Sequence, residues 1–185
     1  MNYDNPSVFV TYAWQNNKEN NKVDNFVVAL RQLGINAEYD KAMSYDNINR
    51  KIEIGFGKDK VIIILSENYK LKVDNKEGKV YEEWNRVYND YTSHPLKYIF
   101  VSFDKDLSKE NRKKITPNEF WALNNAGDIL VYNINFNEDG QVINDKNLYD
   151  LQLRIWDLPE MKLPPVENNN KPISKEATGL AKKKL

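Results

Sequence analysis

Apolar residues fall into two kinds of run along this chain, and the alternation of those runs predicts its architecture. Val8-Phe9-Val10 follow one another without a polar break inside residues 7–12, which predicts a strand covered on both faces, as in a parallel sheet. Val23, Phe26, Val27, Leu30 and Leu33 then recur at helical spacing, with Gly34 where a helix C-cap belongs. Residues 35–39 predict a short second strand ending at Asp40. A loop from Asp40 to Asn47 leads into a modest helix holding Ile48 and Ile52, with Gly55 and Gly57 closing it. Residues 61–65, Val-Ile-Ile-Ile-Leu, are nearly all β-branched and form the clearest buried strand. Ser66-Glu67-Asn68-Tyr69 reads as that strand's C-terminal edge and residues 70–78 as a polar loop.

The second half repeats the scheme. Val80, Trp84, Val87, Tyr88 and Tyr91 line one face of a helix, residues 98–103 a fourth strand and residues 129–134 a fifth. Residues 117–123 between them read as irregular or shortly helical. Leu148, Leu151, Ile155 and Leu158 mark a last helix stopped by Pro159. The order predicts an α/β protein with a five-stranded, mostly parallel sheet and helices on both faces. Ligands in such sheets bind beyond the carboxyl ends of the strands, which selects residues 11–14, 40–47 and 66–69 as the rim. Past Pro164-Pro165 the composition shifts to an Asn run and lysines without aromatics. The expected division is one domain over residues 1–165 and a flexible lysine-rich tail or linker over 166–185.

Composition narrows the chemistry. With 185 residues the chain has the length of one ordinary domain, and an aromatic share of 12% argues against disorder. Lys plus Arg and Asp plus Glu balance at 27 each, so no global field recruits nucleic acid or an anionic membrane. There is no Cys and one His, which removes disulfides, thiolate nucleophiles and Cys-based metal sites and disfavours a Ser/His/Asp triad. No run approaches the ~18–20 apolar residues of a membrane span, and the N-terminal residues lack a signal-peptide pattern. The expectation is a cytoplasmic protein with no metal.

Few residues remain that could do chemistry. Glu82 and Glu83 are adjacent on the helix after Gly78. Glu82 points away from the apolar stripe, whereas Glu83 lies about 90° from its centre, on the flank where helix meets sheet. Both also fit the ordinary enrichment of acids in a first turn. His94 precedes a Pro in a turn, where histidines are usually solvated. Gly55-x-Gly57 follows a helix and so lacks the strand-to-helix context of a dinucleotide fingerprint. Lys182-Lys183-Lys184 has the character of a solubilising end.

Four segments, taken in order, resemble the Toll/interleukin-1 receptor (TIR) domain family, and its bacterial TIR/SEFIR-like branch most. Val8-Phe9-Val10-Thr11-Tyr12-Ala13-Trp14 is similar to the family's opening strand. Residues 34–41 resemble its second strand and the Asp that opens the BB loop, and residues 66–69 resemble the segment after its third strand. Asp74 to Glu83 aligns without a gap to the branch's Gly-Val-Gly-x-Glu motif and places the motif's Glu on Glu83. The helical wheel selects the same residue independently.

The resemblance implies a flavodoxin-like TIR fold and NAD+ hydrolase activity, the cleavage of the nicotinamide–ribose bond, in an innate-immunity or anti-phage effector activated by self-assembly. Glu83 would be catalytic, and Tyr12, Trp14, Asp40, Lys41, Ser66 and Tyr69 would line the NAD+ site. NAD+ would be the substrate, with no separate cofactor. The products implied are nicotinamide with ADP-ribose or a cyclised ADP-ribose. Partners would be further copies of the domain and a fused or co-encoded sensor. The alternative is a non-enzymatic TIR/SEFIR interaction module. Two departures favour it: the BB-loop Gly is missing, with Asp46 and Asn47 in its region, and Lys79 and Tyr81 replace the glycines of Gly-Val-Gly.

Overall fold

In the computed structural model, which describes residues 5–42, 47–124 and 129–158, the two kinds of run become two kinds of element. The strands are β1 (Ser7–Thr11), β2 (Asn36–Tyr39), β3 (Lys60–Leu65), β4 (Tyr98–Ser102) and β5 (Val131–Asn133). The helices are α1 (Asn17–Gln32), α2 (Ile48–Phe56), α3 (Glu67–Asp74), α4 (Gly78–Tyr91), α5 (Lys109–Ile115), α6 (Asn118–Asn124) and α7 (Lys146–Ile155), and a 3-10 turn at Asp40–Ala42 follows β2. The sheet has the order β2-β1-β3-β4-β5 with every pairing parallel. That is the flavodoxin-like order, with its switch point between β1 and β3. The tail assigned to residues 166–185, the domain end at 165, Pro159 and Asp46 lie outside the described residues.

Both faces of the sheet are packed, which is why β1 and β3 read as unbroken apolar runs. Phe9, Val61, Ile63 and Leu65 point to one side, where Ile52, Phe56, Tyr69, Trp84, Val87 and Phe120 cover them. Val8, Val10, Ile62 and Ile64 point to the other, beneath Phe26 and Leu30 of α1 and Leu151 and Ile155 of α7. Each such aliphatic side chain removed from water contributes about 1.5–3 kcal/mol. The first helix starts at Asn16, whose side chain accepts from the Glu19 N–H at 3.0 Å, and stops at Gly34, whose φ of +80° suits glycine.

The structure corrects the expected elements in four places. Residues 67–74 are a helix rather than a strand edge and loop: Ser66 caps it by accepting from the Tyr69 N–H at 3.1 Å, and Lys70 pairs with Asp74 at 2.5 Å one turn on. α5 was not expected at all; Ser108 caps it by accepting from the Asn111 N–H at 3.3 Å. Gly57 is the residue that ends α2, while Gly55 lies inside it. A Cβ on Gly55 would stand 2.5 Å from the Phe9 ring, so that glycine is required by packing rather than by termination. Finally, α7 ends at Ile155, and Leu158 is exposed beyond Asp157, whose φ is +51°. Among the described residues, no helix is long and apolar enough to cross a membrane.

Candidate functional site

The carboxyl ends of β1 and β3 open onto two cavities, one on each side of the segment that follows β1. The smaller, about 350 Å³, lies between the end of β1, the turn at Asp40 and the start of α4. Thr11, Tyr12, Trp14, Asp40 and Glu83 line it, with Lys72, Glu77 and Lys79 also in its wall. The larger, about 530 Å³, is lined by Gln15, Ser66, Glu67, Asn68 and Asp104 among others. The partition is the chain from Trp14 to Gln15. It is strapped to α3 by Asn68 Nδ2 donating to the Trp14 carbonyl at 2.9 Å and Gln15 Nε2 donating to Ser66 Oγ at 3.0 Å.

Glu83 reaches the smaller cavity because of its place on α4. Trp84 and Val87 turn that helix onto the sheet and are fully buried, and Glu83, on the flank of that stripe, is only 8% exposed. Glu82 faces solvent and pairs with Lys79 at 2.6 Å. The Thr11 hydroxyl donates to Glu83 Oε2. Burial pushes the Glu83 carboxyl up to about 7; Thr11 and Arg86 act against the shift, and Asp40 and Glu82 add to it. At neutral pH this group sits between acid and carboxylate, poised for proton or charge chemistry.

The other residues singled out from the sequence divide around Glu83. Tyr12 is buried, and its phenol is pushed far above the usual range by burial and then by Asp40 and Asp24. Trp14 is half exposed and stacks on Tyr12 with centroids 6.3 Å apart and planes 15° apart. Its Nε1 donates to Asp40 Oδ2 at 3.2 Å. Lys41 lies 5.2 Å over the Trp14 ring and pairs with Asp24 at 3.3 Å, away from the cavity wall. Ser66 is on the other side of the partition, as cap of α3. Tyr69 is fully buried with its ring edge against Trp84; burial and then the Glu83 charge hold its phenol well above the usual value. Tyr12, Trp14, Asp40 and Glu83 thus share one cavity, while Lys41, Ser66 and Tyr69 stand around it.

Thr11 fell inside the rim selected from the sequence, over residues 11–14, without a role of its own, although a signal for one was available: two residues after Phe9 on β1, it shares that residue's face, the side on which α4 packs. Lys79 donates to both Glu82 and Asn49, each at 2.6 Å, tying the first turn of α4 to α2. Asn47 caps α2 by accepting from the Asn49 N–H at 2.9 Å. His94 is exposed, with Nδ1 2.7 Å from Asp90, remote from either cavity's wall.

No family model and no curated protein matches the chain. Among solved structures it is similar to the TIR domains of the activated Roq1 resistosome, a complex directly recognizing the pathogen effector XopQ. That likeness has 17% sequence identity and a TM-score of 0.46, and covers 82% of this chain and 80% of that one.

Proposed function

We propose that this chain is a TIR-type NAD+ nucleosidase in which Glu83 is the catalytic carboxylate. The observation that carries the reading is a buried acid, Glu83, opening onto a cavity at the carboxyl edge of a parallel sheet. The cavity is at the small end of the ~300–1,000 Å³ range of ligand pockets, which suits the nicotinamide–ribose half of the dinucleotide. Trp14 and Tyr12 give that half an aromatic wall, and Asp40 and Glu83 offer negative charge to a cationic pyridinium ring.

The chemistry needs no metal and no thiolate. As the glycosidic bond breaks, its electron pair goes to the ring nitrogen, so nicotinamide leaves neutral and the positive charge passes to the ribose. The Glu83 carboxylate holds a ribose hydroxyl and stabilises the developing cation. Water then supplies an electron pair to C1′ and releases a proton, giving ADP-ribose; an adenine nitrogen supplying the pair instead gives the cyclised product. Because Glu83 must be ionised, turnover rises with pH through about 7. Self-association of the domain is part of this reading, so the assay is run at high protein concentration and under crowding.

The test is nicotinamide release from NAD+, measured beside Glu83→Gln. The expected loss in the variant is about a hundred-fold or more. Equal release from both proteins in every assembled state would give the chain to the interaction-module reading. That second reading draws on Lys79, whose ties to Glu82 and Asn49 place a bulky side chain at the cavity edge.

A further inference from the structure

We propose that Thr11 is the positioning residue of this site: its hydroxyl aims the Glu83 carboxyl into the cavity and favours it as the carboxylate. The proposal rests on the reading of Glu83 as the catalytic group and adds to it the device that sets when that group is competent.

The geometry is specific to this side chain. Thr11 is in register with Ile63 of β3 and directly follows Val10, which is paired on both sides, so the backbone carrying the hydroxyl is restrained. A β-branched side chain is also stiff at χ1. The hydroxyl therefore has a set direction, and in that direction it donates to Glu83 Oε2. Thr11 is 2% exposed and Glu83 8%, so the contact between the two is largely shielded from solvent. A donor to the charged form of a buried acid favours that form, against the desolvation that favours the neutral one.

The remaining groups around the carboxyl pull in both directions. Asp40, following β2, and Glu82, on α4, oppose its ionisation, and Arg86 on α4 supports it. From α3 comes the phenol of Tyr69, held well above its usual value by burial and then by the Glu83 charge, with Thr11 acting against that shift. Lys72, Lys79 and Glu77 complete the charged part of the cavity wall. Among these, Thr11 makes the direct hydrogen bond and belongs to the rigid sheet, which makes it the element that orients as well as tunes.

The experiment titrates Glu83 directly, by carbon NMR of the labelled side-chain carboxyl, in the wild-type chain, Thr11→Val and Thr11→Ser. Thr11→Val keeps the shape and removes the donor, and is expected to move the Glu83 midpoint up by about one pH unit or more. Thr11→Ser returns the donor and should restore the wild-type midpoint. In the nicotinamide-release assay the acid limb should move with the NMR midpoint, with kcat affected more than KM. In the wild-type chain the Thr11 hydroxyl proton should exchange slowly with water and shift as Glu83 titrates, a measurement that stands even where Thr11→Val fails to fold. An unmoved midpoint in Thr11→Val, a Thr11→Ser that behaves like Thr11→Val, or a hydroxyl proton indifferent to the titration overturns the proposal. Absence of nicotinamide release from the wild-type chain in every assembly overturns the nucleosidase reading instead, and the titration still decides whether Thr11 governs the carboxyl.

Discussion

Two formally charged side chains are buried among the described residues, and they lie at opposite ends of the sheet. Lys60 opens β3 at the amino edge. Its ammonium donates to the Leu96 carbonyl at 2.8 Å and to both oxygens of Asp157, at 2.8 and 2.7 Å, so all three protons have acceptors. Glu83 lies at the carboxyl edge, where it meets a hydroxyl rather than a cation at hydrogen-bond distance and looks into a cavity. Burial of charge costs free energy at both places, but only Lys60 has it offset by a full set of partners. The contrast separates a structural charge from one left available for something that enters from outside.

The largest expected effect breaks the structural side of this contrast. Asp157→Asn keeps the volume and tolerates the positive φ, yet leaves the Lys60 ammonium without its counter-charge. Urea unfolding should report a loss of up to about 3 kcal/mol, reduced by the solvent that screens half-exposed Asp157, with the Glu83 titration unmoved. Close behind comes the pH dependence on the other side. The Glu83 carboxyl is raised from 4.5 unfolded to about 7 folded, so the folded protein binds the extra proton. Its contribution is complete below about 4.5 and is lost as pH rises through about 7, a decline of about 3 kcal/mol in unfolding free energy. In Glu83→Gln that decline should vanish, and the variant should be more stable than the wild type at pH 8. A parallel decline in both proteins would remove Glu83 as its source. The smallest effect sharpens the comparison by touching neither charge: Gly55→Ala drives a methyl into the Phe9 ring and should cost about 1–3 kcal/mol at every pH.

How far the sequence could be read depended on how local each cause was. β3 was legible because burial on both faces forces an unbroken apolar run, and α4 because its stripe repeats over four turns. α3 was missed because eight residues carry only Tyr69 and Val73 as buried apolar positions, although the Ser66 cap and the Lys70–Asp74 spacing were there to be seen. α5 buries only Ile115 and has no periodicity to detect. Gly55 was misread because the ring that demands its smallness comes from β1, a contact no window around the glycine contains. In the site, the wheel separated Glu82 from Glu83 in the way their side chains lie. The side of the partition on which Ser66 falls was not legible, because it depends on how the segment after β1 crosses α3.

The latch at Lys60 also gives the two ends of the sheet separate electrostatic characters. By gripping Asp157 at the amino edge of β3, it pins the residues that follow α7 to the pole opposite the Glu83 chamber. A strand of this length separates the two poles by roughly 20 Å. The paired charge and the one that faces the cavity are thereby kept a strand's length apart.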